Sequence, residues 1–144
     1  GVDKGYSVKE LYQGLKNAVN TGINVEATVM IGMPDDTADS IRHTTNEMIQ
    51  LFRNGLLKLV HYFLCIPWRG TEIGDHPERY GLNIVCRNYR NFITAPSVPI
   101  GSTKHLTAEE VYSLWEEGVT SLCNEVEMKL LFMKMREVFD SSSD

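Results

Sequence analysis

The sequence is short of the residues that mark several protein classes. Cysteine occurs only three times in 144 residues, as Cys65, Cys86 and Cys123. An odd number so widely spaced builds neither a disulfide framework nor a Cys-x-x-Cys metal knuckle. No apolar run reaches the roughly 18 residues that span a bilayer. The first residues also lack the basic-then-apolar order of a signal peptide. Positive charge is scarce: 14 Lys and Arg stand against 19 Asp and Glu, a net charge of −5. Broad binding to nucleic acid phosphates is therefore disfavoured. His43, His76 and His105 have no metal-ligand spacing, so no metal site is expected from them. These absences leave a cytoplasmic globular protein as the expectation, with neither nucleic acid nor membrane as partner.

What is present is an alternation of helix and strand. Ser7 and Glu10 have capping-box spacing. Val8, Leu11, Leu15, Ala18 and Val19 then share one helical face, and Gly22 suits the helix end. A helix is predicted over 8–21. Residues 24–31 alternate as a strand: Val25, Ala27, Val29 and Ile31 on an apolar face, Asn24, Glu26, Thr28 and Met30 on the other. Gly32 and Pro34 break the pattern, and Asp36 or Thr37 can cap a second helix over 38–53. Ile41, Thr45, Met48, Leu51 and Phe52 form its inner side, and Asn54-Gly55 stops it. A second strand is predicted over 58–66. Val60, Tyr62, Leu64 and Ile66 lie on one face; Leu59, His61, Phe63 and Cys65 lie on the other.

This order gives an α/β class with parallel strands and right-handed crossovers, as in part of a (β/α) TIM-like barrel. Both strands end in Pro- and Gly-containing loops at the carboxyl edge, where α/β proteins bind ligands. Residues 72–106 read as an irregular segment with one short helix or strand. Thr107 and Glu110 form another capping box, opening a helical extension over 107–140. Gly118 or Asn124 is the expected break in it. Met128, Met133 and Met135 read as core packing, and 141–144 as a disordered tail.

Two loops carry a resemblance. Ile31-Gly32-Met33-Pro34-Asp35-Asp36-Thr37 resembles the Ile-Gly-x-Pro-Gly-Glu-Thr loop after the fifth strand of many radical S-adenosylmethionine (SAM) barrels. Ile66-Pro67-Trp68-Arg69-Gly70-Thr71 resembles the Pro-Tyr-Pro-Gly-Thr loop after their sixth strand. The intervening helix and strand give the right distance. The likeness covers residues 4–80. The stretch from Arg87 to Glu110 is similar to the segment after the barrel in the cobalamin-dependent branch. Asp35 replaces the usual Gly and would need positive φ, which Asp tolerates less well. Asp36 replaces the usual Glu, and Trp68-Arg69 the usual Tyr-Pro.

The resemblance implies residues 1–71 as the carboxyl-terminal part of a radical SAM barrel. SAM would contact Met30, Ile31, Gly32 and Pro34 in the first loop, with its adenine near Cys65, Ile66 and Pro67. Substrate would meet Glu26, Thr28, His61, Phe63 and Arg69 around the lumen. A core histidine held by internal bonds is the competing reading of His61, and a buried Glu26 would need a cation or ligand as partner. The family's Cys-x-x-x-Cys-x-x-Cys motif, which ligates a [4Fe–4S] cluster, has no counterpart here. The resemblance therefore implies a missing amino-terminal half as partner and an isolated chain without catalytic residues or activity. It further implies SAM, the cluster and, on the methyl-transferring branch, cobalamin as cofactors of the parent, and a small-molecule substrate. Two rivals remain. Another α/β barrel would place a lysine or anion loop at a strand end, but Lys58 is at the wrong end. A scaffold built on the long helix would leave Glu26 and Thr28 facing solvent. Unpaired strand edges also predict self-association.

Overall fold

The computed structural model describes residues 7–88 and 99–141, with backbone alone over 127–141. The element order is α1 (Val8–Asn20), β1 (Glu26–Ile31), α2 (Ala38–Arg53), β2 (Leu59–Leu64), α3 (Glu72–Asp75), a 3-10 turn (Pro77–Tyr80), β3 (Asn83–Ile84), β4 (Gly101–Ser102) and α4 (Ala108–Ser141).

The helix ends follow local chemistry. The Ser7 hydroxyl accepts from the Glu10 N–H at 3.3 Å, while the Glu10 carboxylate accepts from the Ser7 N–H at 2.7 Å. Thr37 and Ser40 repeat this reciprocal cap on α2. Both α1 and α2 close in Schellman motifs. Ile23 N–H bonds Ala18 C=O at 3.0 Å and Leu56 N–H bonds Leu51 C=O at 2.9 Å. Gly22 and Gly55 supply the left-handed φ, +82° and +72°.

The architecture is mixed α/β. Strands β1 and β2 pair in parallel, with Glu26 opposite Leu59, Thr28 opposite His61 and Met30 opposite Phe63. Helices α2 and α4 pack on the other face, and the core is Val29, Ile31, Ile41, Tyr62, Leu64, Ile100, Leu106, Val111 and Leu114. Burying each large aliphatic side chain stabilises the fold by about 1.5–3 kcal/mol. Period-two alternation thus divides the strands as expected: Val29, Ile31, Tyr62 and Leu64 are buried, while Glu26, Thr28, Met30 and Phe63 are exposed.

Several expectations are corrected. Helix α4 runs unbroken through Gly118 and Asn124. Gly118 is there for close approach: a Cβ at that position would lie 2.7 Å from the Tyr62 ring. Ile49, which the pattern missed, is buried in α2, whereas Met48 is only half-buried. Helix α1 buries none of its residues; Val8 is 71% exposed and Leu11 40%. Residues 72–88 and 99–106 are more ordered than expected, folding into α3, the 3-10 turn and the antiparallel β3–β4 pair. The tail at 142–144, Pro96 and the aromatics within 89–98, and the side chains of Met128, Met133 and Met135 lie outside the described residues. No helix among the described residues is long and apolar enough to cross a membrane.

Candidate functional site at the strand ends

The loop after β1 is built on Gly32 and Asp36. Gly32 has φ +80°, and a Cβ there would stand 3.0 Å from Val111 Cγ1, so this backbone fits against α4 only as glycine. The Asp36 carboxylate accepts from the Met33 N–H at 2.9 Å, and the Asp36 N–H donates to Met33 C=O at 3.0 Å. Burial raises the Asp36 pKa, while the N–H groups of Met33 and Gly32 pull the other way. No non-glycine residue has positive φ among the described residues. Asp35, which was expected to need positive φ, therefore stays out of the left-handed region. Its carboxylate takes a 2.6 Å bond from Lys104 Nζ, which holds its pKa below the usual range.

A strap from the chain after β4 fastens this loop. Lys104 N–H donates to Pro34 C=O at 3.3 Å, and the Thr103 hydroxyl to Asp36 C=O at 3.3 Å. Thr103 is buried, and its Oγ1 accepts from the N–H groups of His105 and Leu106 at 3.1 Å. The sequence reading missed Asp36, Thr103 and Lys104 as shapers of the site. For Asp36 a local signal existed, an acid reaching back three residues as in a capping box. For the other two there was none, because their partners lie about 70 positions away along the chain.

The loop after β2 lies alongside. Cys65 N–H donates to Ile31 C=O at 2.7 Å, carrying the parallel ladder one residue past the strand. Burial, and then the Asp36 charge, pushes the Cys65 thiol up to about 11. Pro67 is buried and Ile66 half-buried. Gly74 sits directly under the loop: a Cβ there would fall 1.9 Å from Trp68 O. Arg69 is exposed at the rim. On the helix side of the two loops, Gly32, Cys65, Pro67, Ile100 and Val111 leave a cavity of only about 10 Å³, room for one water at most. The strand face turned away from α2 and α4 is open, with Glu26, Thr28, Met30 and Phe63 exposed on it.

That open face brings together most of the expected substrate residues. Glu26 Oε2 and His61 Nε2 are 3.2 Å apart across the two strands. The His61 and Phe63 rings are parallel, with centroids 6.1 Å apart. Two expectations change here. Glu26 is exposed, not buried, and its partner is His61 rather than an outside cation. His61 is not a core histidine, since its side chain is 42% exposed. Arg69 stands apart from this group on the loop beyond β2. Among the described residues no three His, Cys, Asp or Glu side chains come together as a metal site.

No family model matches the chain, and no solved structure matches it. Over 120 residues it is 22% identical to an uncharacterized methyltransferase of Pyrococcus horikoshii, covering 83% of this chain and 25% of that protein. The chain thus spans about a quarter of the length of the curated relative that it resembles.

Proposed function

We propose that this chain is part of the barrel of a radical SAM methyltransferase, contributing two strands and their carboxyl-end loops to a site completed elsewhere in a longer protein. One observation carries the reading. The parallel pair buries one face under α2 and α4 and holds out the other with Glu26, Thr28, His61, Met30 and Phe63 on it. Met30 and Phe63 are each 50% exposed, side by side. A wall of a ligand-binding lumen has this mixture of apolar surface and a few polar groups. The likeness to a protein named a methyltransferase supports the same direction.

On this reading SAM lies along the backbone of Met30, Ile31, Gly32 and Pro34, with its adenine by Cys65, Ile66 and Pro67. Substrate meets Glu26, Thr28, His61, Phe63 and Arg69. The loop after β1 suits such a role because Asp36 and the Thr103–Lys104 strap hold it in place before any ligand arrives. Bound SAM supplies an activated methyl group and, next to a reduced cluster, a 5′-deoxyadenosyl radical. The residues here do not fit the cluster itself, which needs three thiolates close together: Cys65, Cys86 and Cys123 are far apart in sequence, and no three His, Cys, Asp or Glu side chains gather among the described residues. Its ligands belong to another part of the protein, as does cobalamin if the methyl-transferring branch uses it.

The exposure of Glu26 and Thr28 is also what a non-catalytic scaffold would show. The exposed Met30, Leu59 and Phe63 beside them favour the lumen, because a face made for water would carry fewer large apolar groups. The deciding experiment uses a longer protein including the upstream sequence, reconstituted anaerobically with iron and sulfide. Cluster uptake with 5′-deoxyadenosine release from SAM is expected, with loss of SAM binding on Gly32→Val. No cluster, and no three-cysteine motif upstream, would overturn the proposal and leave the scaffold.

A further inference from the structure

Glu26 and His61 meet diagonally across the parallel pair. Leu59 stands opposite Glu26 and Thr28 opposite His61, yet Glu26 Oε2 reaches His61 Nε2 at 3.2 Å. A carboxylate only accepts hydrogen bonds. The ring nitrogen that faces it therefore carries the proton, and in the neutral imidazole Nδ1 keeps a lone pair. Among the described residues neither Nδ1 nor Glu26 Oε1 has a hydrogen-bond partner, and the His61 side chain is 42% exposed. The pair thus turns acceptors toward whatever meets this face. No Lys or Arg shares the face, whose strand residues are Glu26, Thr28, Met30, Leu59, His61 and Phe63. Polarity also changes along the strands. Met30 and Phe63 stand nearest the carboxyl-end loops. His61 lies about 7 Å below Phe63, and Glu26 about 13 Å below Met30, at roughly 3.3 Å a residue.

We infer that the substrate of this site has an apolar body ending in a hydrogen-bond donor, an alcohol or an amine, with the donor end on His61 Nδ1 and Glu26 and the apolar body over Phe63 and Met30. The inference rests on the reading of this face as a lumen wall under Proposed function, and it adds the class of substrate and the direction in which it lies. Glu26 is a positioning residue: its carboxylate fixes the tautomer that leaves Nδ1 able to accept. An anionic end, such as a carboxylate or phosphate, would meet two acceptors and the Glu26 charge, and is rejected. A body without a donor would leave the pair's acceptors unpaired once water is expelled. The apolar body, not the donor end, then lies beside the loop after β1.

Two measurements test it. On the 144-residue chain, nitrogen NMR of the imidazoles at about pH 8.5, above the ordinary histidine range, should find the His61 proton on Nε2. Glu26→Leu should move part of that population to Nδ1. A His61 proton on Nδ1 in the parent overturns the inference. The second measurement uses the longer protein and four probes that share one body: phenylbutanol, phenylbutylamine, the methyl ether of the alcohol, and phenylbutyrate. The alcohol and the amine should bind about tenfold or more tighter than the ether and the carboxylate, and His61→Phe should abolish the preference of the alcohol over its ether. The order of amine and alcohol tells a cationic end from a neutral one. Equal binding of alcohol and ether, tighter binding of the carboxylate, or no binding of any probe overturns the inference. SAM binding, titrated separately, keeps the two readings apart. A protein that binds SAM without the donor preference defeats this inference alone, and one that shows the preference without binding SAM defeats the SAM assignment alone.

Discussion

Asp36 and Cys65 occupy neighbouring loop positions, and the Cys65 thiol feels the Asp36 charge. The Cys65 pKa of about 11 leaves about one thiolate in a thousand at pH 8. Iodoacetamide at that pH should label exposed Cys123 quickly and Cys65 slowly, as read by mass spectrometry of the peptides. Replacing Asp36 with Asn removes a negative charge that raises the Cys65 pKa, so Cys65 labelling should speed up in that variant. Stability carries the complementary sign. The folded-state pKa of Asp36 lies above its unfolded value, so its ionisation costs stability at neutral pH, and that cost is relieved as pH falls through the folded pKa. Asp36→Asn keeps an acceptor for the Met33 N–H and should be at least as stable as the parent at pH 7. Asp36→Ala strands that donor and should cost about 1–3 kcal/mol in urea unfolding. Gly118 is a second single-residue test. Gly118→Ala drives a methyl into the Tyr62 ring and should destabilise by about 1–3 kcal/mol, with Gly14→Ala, where nothing lies within 4 Å, as the benign control.

At the scale of elements, α2 and α4 are joined twice at the surface. Arg42 grips Glu117 with two bonds of 3.0 Å, and Arg53 pairs with Glu125. The arginine bonds lower the pKa of both glutamates. Stability from a depressed carboxylate is present above its unfolded pKa and lost as pH falls through the folded one. A Glu117→Gln, Glu125→Gln variant should therefore be less stable than the parent at pH 7 and equal to it near pH 3. The difference should shrink with added salt, since these pairs are exposed. Urea midpoints across pH and salt would check this. The elements were legible because their signals are local. Ser7, Thr37 and Thr107 each begin a helix within reach of the N–H that they accept from. Gly22 and Gly55 end helices because φ must turn positive there. The small β3–β4 pair was not legible. Asn83 meets Ser102 across a long stretch of chain, and a two-residue strand carries no period.

In the molecule as a whole, burial is uneven. Helix α1 has an apolar stripe yet buries none of its residues, and a bond from Tyr12 to Glu47 at 2.6 Å ties it to α2. Little apolar surface holds it down, so its amides should exchange with deuterium faster than those of α2. Equal protection of the two helices would show that α1 has found a cover.

Local order was written in the sequence alone: the caps, the turns, the two strands and which strand face is apolar. Each of those follows from contacts between residues a few positions apart, or from a period of two or 3.6. The site itself was legible only in part. The two loops and the Glu26, Thr28, Met30, His61 and Phe63 face could be placed, because strand alternation fixes which side chains share a side. That Glu26 bonds His61, that Lys104 and Thr103 strap the first loop, that Gly118 makes room for Tyr62, and that the Trp115 indole N–H donates to the Tyr62 carbonyl were decided by tertiary structure. Those partners meet only after the chain has folded back on itself, and no local pattern encodes which distant residue will arrive.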